Sequence, residues 1–151
     1  MSQPALTVRP RRHTRAVVGG TVAAALAALG VWYVNSPSDL PTSDEAVNAS
    51  GTTDRPLYVG MFAPGSDFDR TLHLSGVKVH TTANTQVEVV PHLCLDGSVS
   101  VTTDPAAFCR ELVNPEGRTL EAGDSIVLEV SSDETAIAVI DPIRLGFREG
   151  L

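Results

Sequence analysis

Hydrophobic positions change their rhythm twice along the chain. Residues 16–34 form an uncharged run, AVVGGTVAAALAALGVWYV. Residues 35–55 carry two prolines and many Ser, Thr and Asp, with Leu40 and Val47 as the large apolar side chains. From residue 56 to 151, short stretches alternate apolar with polar positions, and turn residues separate them. A period of two sends successive side chains to opposite faces of a strand, while a helix repeats every ~3.6 residues. The alternation predicts strands over 57–62, 70–81, 85–95, 98–103, 125–130, 135–140 and 143–148. About seven short strands in about 100 residues are the pattern of an antiparallel β-sandwich, so the expected fold class is mainly β.

Parity within these stretches predicts register. A hairpin closed over 131–134 sets Leu128 opposite Ile137 and Ile126 opposite Val139, all four on one buried face. Leu93, Leu95, Val99 and Val101 are all odd-numbered. A two-residue Asp96-Gly97 turn would put the valines on the wrong face. A loop of residues 96–98 instead pairs Leu95 with Val99 and Leu93 with Val101. Cys94 then falls off the apolar face. Pro142, which has no N–H, marks the start or edge of the last strand. Within that strand Ile143, Leu145 and Phe147 point one way and Arg144, Gly146 and Arg148 the other.

The uncharged run spans about 28 Å as a helix, close to the ~30 Å of a bilayer's hydrocarbon core. Arg9, Arg11, Arg12 and Arg15 precede it, and no basic residue follows until Arg55. Positive charge stays inside. The expectation is therefore a cytoplasmic tail (1–15), a single-pass transmembrane signal-anchor helix (16–34), a flexible acidic linker (35–55) and an extracytoplasmic β-sandwich (56–151). A cleaved signal peptide ending near Ala25-Leu26-Ala27 is the alternative, and it leaves an apolar stub over 29–34. Gly20, Ala24 and Ala28, four apart, form a small-residue face that would let two such helices pack as a homodimer.

The chain has 151 residues and a formal net charge of −7. Residues 1–38 carry +4, and residues 39–151 carry −11, from seven Lys and Arg against eighteen Asp and Glu. An acidic domain repels phosphate backbones, so nucleic acid is not an expected partner. Cys94 and Cys109 are the two cysteines. Outside the cytoplasm such a pair reads as a disulfide. It would staple a short helical turn at 105–109, with Asp104 as N-cap and Pro105 as first residue, and Phe108 and Leu112 covering apolar surface.

His92 and Cys94 share one strand face, which is chelating geometry. With His73 and His80 they make a metal or redox module the runner-up function, although a disulfide would remove the thiolate. Asp67 and Asp69 have calcium-like spacing without an EF-hand loop. No nucleophile-elbow, P-loop or zincin motif occurs in the sequence, and no cofactor is expected. A small envelope enzyme built from scattered residues is the third reading.

Residues 120–130, LEAGDSIVLEV, resemble a stretch of bacterial immunoglobulin-like domains, in which a Gly-Asp turn feeds a late alternating strand. That resemblance implies an Ig-like sandwich serving adhesion, scaffolding or assembly in a cell envelope. The expected function is a non-catalytic, membrane-anchored binding or assembly module. Arg144 and Arg148 on the last strand mark the expected surface for a protein or envelope-component partner.

Overall fold

The computed structural model describes residues 25–29, 39–42 and 46–149. Its elements, in chain order, are β1 (Leu57–Phe62), β2 (Leu72–Lys78), β3 (Thr81–Ala83), β4 (Glu88–Leu95), β5 (Val101–Thr102), a 3-10 turn (Pro105–Ala107), β6 (Glu111–Val113), β7 (Thr119–Leu120), β8 (Ser125–Ser131), β9 (Ala138–Ile140) and β10 (Arg144–Glu149). Five strands form one antiparallel sheet in the order β5-β1-β8-β4-β6, and three form a second in the order β10-β2-β7. β3 and β9 pair as a separate two-stranded ribbon. The protein is thus mainly β with antiparallel sheets, consistent with a β-sandwich.

The core lies where the two larger sheets meet. Leu93 and Ile126 from the five-stranded sheet cluster with Leu72, Leu74 and Leu120 from the three-stranded sheet, each at most 3% exposed. Phe62, Leu145 and Phe147 pack against that cluster. Burying a Leu or Ile side chain contributes about 1.5–3 kcal/mol, so this layer accounts for most of what holds the two sheets together.

Strand β8 carries a second role. Ile126, Val127 and Leu128 are all 0% exposed, so both faces of this strand are covered. Val127 joins Cys94, Val99 and Cys109 in a smaller apolar cluster, with Tyr58 and Leu112 beside it. Cys94 and Leu93 do lie on opposite faces, as their parity requires.

The transmembrane expectation needs correction. Among the described residues, no helix is long and apolar enough to cross a membrane. Residues 25–29 are helical. The remainder of 16–34, including Gly20 and Ala24 of the proposed helix-packing face, lies outside the described residues, as does the 1–15 tail. The linker is not wholly without anchorage either. Leu40 packs against the main core, and the Asp39 carbonyl accepts a 3.2 Å hydrogen bond from Arg70.

Two register expectations also give way. β8 pairs with β1 on one side and β4 on the other. Both of its hydrogen-bonding edges are therefore used, and β9 pairs with β3 instead, leaving Ile137 74% and Val139 62% exposed. Likewise β4 does not form a hairpin with β5. Leu93 stands opposite Val113, Leu95 stands opposite Glu111, and β5 joins β1 at the far edge.

Candidate functional site

The segment after β4 crosses the outer face of the five-stranded sheet and returns. Asp96, at φ 48°, turns the chain in the left-handed region, and its N–H donates to Asp124 Oδ1 at 3.0 Å. Asp and Asn tolerate that conformation better than most residues because their short polar side chains bond locally. Val99 then settles on Val127, and the Gly60 N–H donates to the Ser100 carbonyl at 2.9 Å. Glycine is required at two close approaches of this strap, one on β1 beneath it and one within it. A Cβ on Gly60 would lie 1.8 Å from the Val99 carbonyl oxygen, and one on Gly97 would lie 1.9 Å from that of Phe108.

Cys109 closes the strap with a disulfide to Cys94, their Cα atoms 5.3 Å apart. The buried Ser125 hydroxyl donates to the Gly97 carbonyl at 2.8 Å. The 3-10 turn falls where the Asp104-Pro105 signal places it, but Asp104 makes no side-chain cap bond. Leu112 covers apolar surface as expected. Phe108 is 54% exposed, because the turn spans three residues and its far side faces away from the sheet.

Beyond the strap, the same face carries a polar row that sequence reasoning missed. Tyr58 on β1 stands opposite Glu129 on β8, and Glu129 Oε2 lies 2.9 Å from His92 Nε2 on β4. Burial, then the Glu129 charge and the hydrogen bond to it, push the Tyr58 hydroxyl above its ordinary value of 10.0. The row assembles from three strands distant in sequence, so no local spacing announces it.

These partners bear on the metal reading. His92 is engaged by Glu129 and Cys94 by Cys109. His73 lies on β2 in the other sheet, and His80 follows β2. Among the described residues, no group of three or more His, Cys, Asp or Glu is arranged to hold a metal ion. A depression of about 160 Å³ beside Cys109, lined by Pro105, Ala106, Arg110, Glu111 and Leu112, is smaller than the ~300–1,000 Å³ of small-molecule pockets.

The predicted partner surface occupies the other sheet. β10 is an edge strand, paired among the described residues with β2 alone. Arg144 and Arg148 are exposed, and neither has an ion-pair partner among the described residues. Two nearby acids are engaged elsewhere, Glu149 by Arg70 and Glu129 by His92. Register adds what sequence did not show. Lys78 stands directly opposite Arg144, and His73 directly opposite Arg148.

Compared with known proteins, the chain matches no family model, no curated protein and no solved structure.

Proposed function

We propose that this chain is a non-catalytic binding or assembly module that works outside the cytoplasm, in a bacterial envelope, and engages a protein partner through β10. The observation that carries the reading is an edge strand, unpaired on its far side among the described residues, bearing Arg144 and Arg148 in a region of net charge −11. Exposed edges invite strand pairing, and charge complementarity selects which chain pairs. The Cys94–Cys109 disulfide supports an oxidising compartment. Two antiparallel sheets, together with the 120–130 stretch that feeds β8, support the immunoglobulin-like reading. A metal or redox module at His92 and Cys94 draws no support from an ion-paired histidine and a bridged cysteine.

The test uses the full chain with a photo-crosslinker placed at Ser75, beside β10. Wild type should yield a discrete crosslinked partner that the Arg144→Glu, Arg148→Glu double variant loses, with thermal stability nearly unchanged. If the double variant recovers the same partner, or wild type crosslinks to nothing, this surface is not the binding site.

A further inference from the structure

The outer face of the three-stranded sheet is organised as two cationic rungs separated by a floor of two facing glycines and one serine hydroxyl. Arg144 and Lys78 form the first rung and Arg148 and His73 the second. Between them Gly146 stands opposite Gly76, and a Cβ built on Gly76 would meet nothing within 4 Å. A bulge on β2 inserts Ser75 at this point, and its hydroxyl oxygen lies 2.7 Å from where a Gly146 Cβ would be. A hydroxyl donor therefore sits at the centre of the floor. Glu149, the next residue on β10, is engaged by Arg70, and Glu121, beyond the His73 end, accepts a hydrogen bond from Thr71 at 3.3 Å. Three of the seven Lys and Arg in residues 39–151 are thus gathered on two adjacent strands.

We propose that this face binds an extended acidic peptide that adds as a strand to the open edge of β10, with carboxylates four residues apart and a small residue midway. The inference rests on the binding-module reading above and specifies its partner. Two arguments carry it. The first is spacing. Side chains four apart on a strand lie about 14 Å from one another, too far for a single small anion to bridge. A paired strand repeats at the same interval, so its carboxylates reach both rungs while its midway residue rests over Gly146. The second is exclusion of self-pairing. If two copies of β10 paired antiparallel about Gly146, each Arg144 would face the Arg148 of the second copy. Like charges directly opposite destabilise a pair of strands, so the edge rejects itself and selects an acidic chain.

A fluorescent synthetic peptide with two glutamates four positions apart, glycine midway and valines flanking is titrated onto the full chain and followed by anisotropy. Amide hydrogen exchange of β10 is measured in parallel. The expected result is saturable binding, slowed exchange in β10, and no binding by the same peptide with lysines for glutamates. Arg144→Gln with Arg148→Gln should weaken binding about tenfold or more, and Gly146→Val should weaken it by raising the floor. His92→Gln, on the other sheet, should leave it unchanged. Equal binding by a peptide with glutamates three apart, or unchanged β10 exchange, overturns strand addition. Tighter binding of polyphosphate at matched charge makes the face a general anion surface and overturns the peptide assignment. Self-association of the glutamine double variant with peptide binding intact reduces the arginines to guards of the edge. In each of these outcomes the Ser75 crosslinking result stands independently, so failure of the peptide geometry is separable from failure of the binding surface.

Discussion

The outer faces of the two sheets stand in contrast. On the five-stranded sheet the chain covers itself. Residues 96–110 cross β8, bury Val127, and are held by a disulfide, by Ser125 and by two close backbone approaches at Gly60 and Gly97. On the three-stranded sheet nothing comparable crosses among the described residues. Among the described residues Lys78, Arg144 and Arg148 have no ion-pair partner, and two glycines face each other across β2 and β10. The covered face puts its polar groups into mutual bonds, and the open face leaves its cations available. That difference is the reason for proposing recognition on the open face, because a charge already satisfied within the fold has little left to offer a partner.

The glycines give the sharpest way to break the comparison. Gly60→Ala or Gly97→Ala drives a methyl group into a backbone carbonyl and should cost about 3 kcal/mol in denaturant unfolding. Gly146→Ala crowds only the movable Ser75 hydroxyl, its other neighbours lying at ordinary contact distance, and should stay within about 1 kcal/mol of wild type, since alanine also suits a strand better than glycine. Equal costs at the three positions would mean that the strap is not what holds its face closed.

Removal of the disulfide should have a comparable effect. The bridge closes a loop of sequence separation 15, for which chain entropy gives about 3 kcal/mol. The Cys94→Ala, Cys109→Ala double variant should lose that much and show faster amide exchange over 96–110, with β10 exchange unchanged. Faster exchange in β10 as well would couple the two faces and dissolve the distinction between them.

Much of this was legible in the chain and some was not, for physical reasons. β1 falls where alternation predicts it, and Cys94 sits off the core face because its parity differs from that of Leu93. β10 as an edge strand with outward arginines followed from Pro142 and a period of two. The expected hairpin between β8 and β9 failed because alternation reports which side a residue faces and not which strand lies beside it. The three successive apolar residues Ile126, Val127 and Leu128 carried the signal of a strand covered on both faces. β6 and β7, at three and two residues, are too short to show a period. The site was half legible. Arg144 and Arg148 share a strand, but Lys78, His73 and Gly76 join them only through a pairing between distant segments.

Tyr58 offers a smaller and pH-dependent test of the covered face. Its hydroxyl is held above its ordinary value, first by burial and then by Glu129. A group whose value is raised on folding favours the protonated, neutral form in the native state. Its contribution is fully present below pH 10.0 and is lost as pH rises through the folded value. Ultraviolet titration should therefore show one tyrosine ionising later than free tyrosine and reverting on unfolding. Tyr58→Phe should remove that late step and cost about 1 kcal/mol at neutral pH. A late step that persists in Tyr58→Phe would place the raised hydroxyl elsewhere and remove the row from the covered face.

The smallest expected effect is the most informative about the open face. Arg70 is engaged by the Glu149 carboxylate and the Asp39 carbonyl, and lies 5.7 Å from the Phe68 ring centroid. Arg70→Gln should cost about 1 kcal/mol through those contacts. Arg144→Gln and Arg148→Gln break no ion pair among the described residues and should each stay within about 0.5 kcal/mol. Any cost should shrink as salt is added, because a lone cation in an acidic domain acts only by relieving long-range repulsion, which salt screens. Such an outcome leaves both arginines available for the contact proposed above, with a partner's carboxylate or against another copy. If either substitution instead costs as much as Arg70→Gln and keeps that cost at high salt, the residue belongs to the fold's own interactions. The contrast between a covered face and an open one would then fail at the point where recognition was assigned.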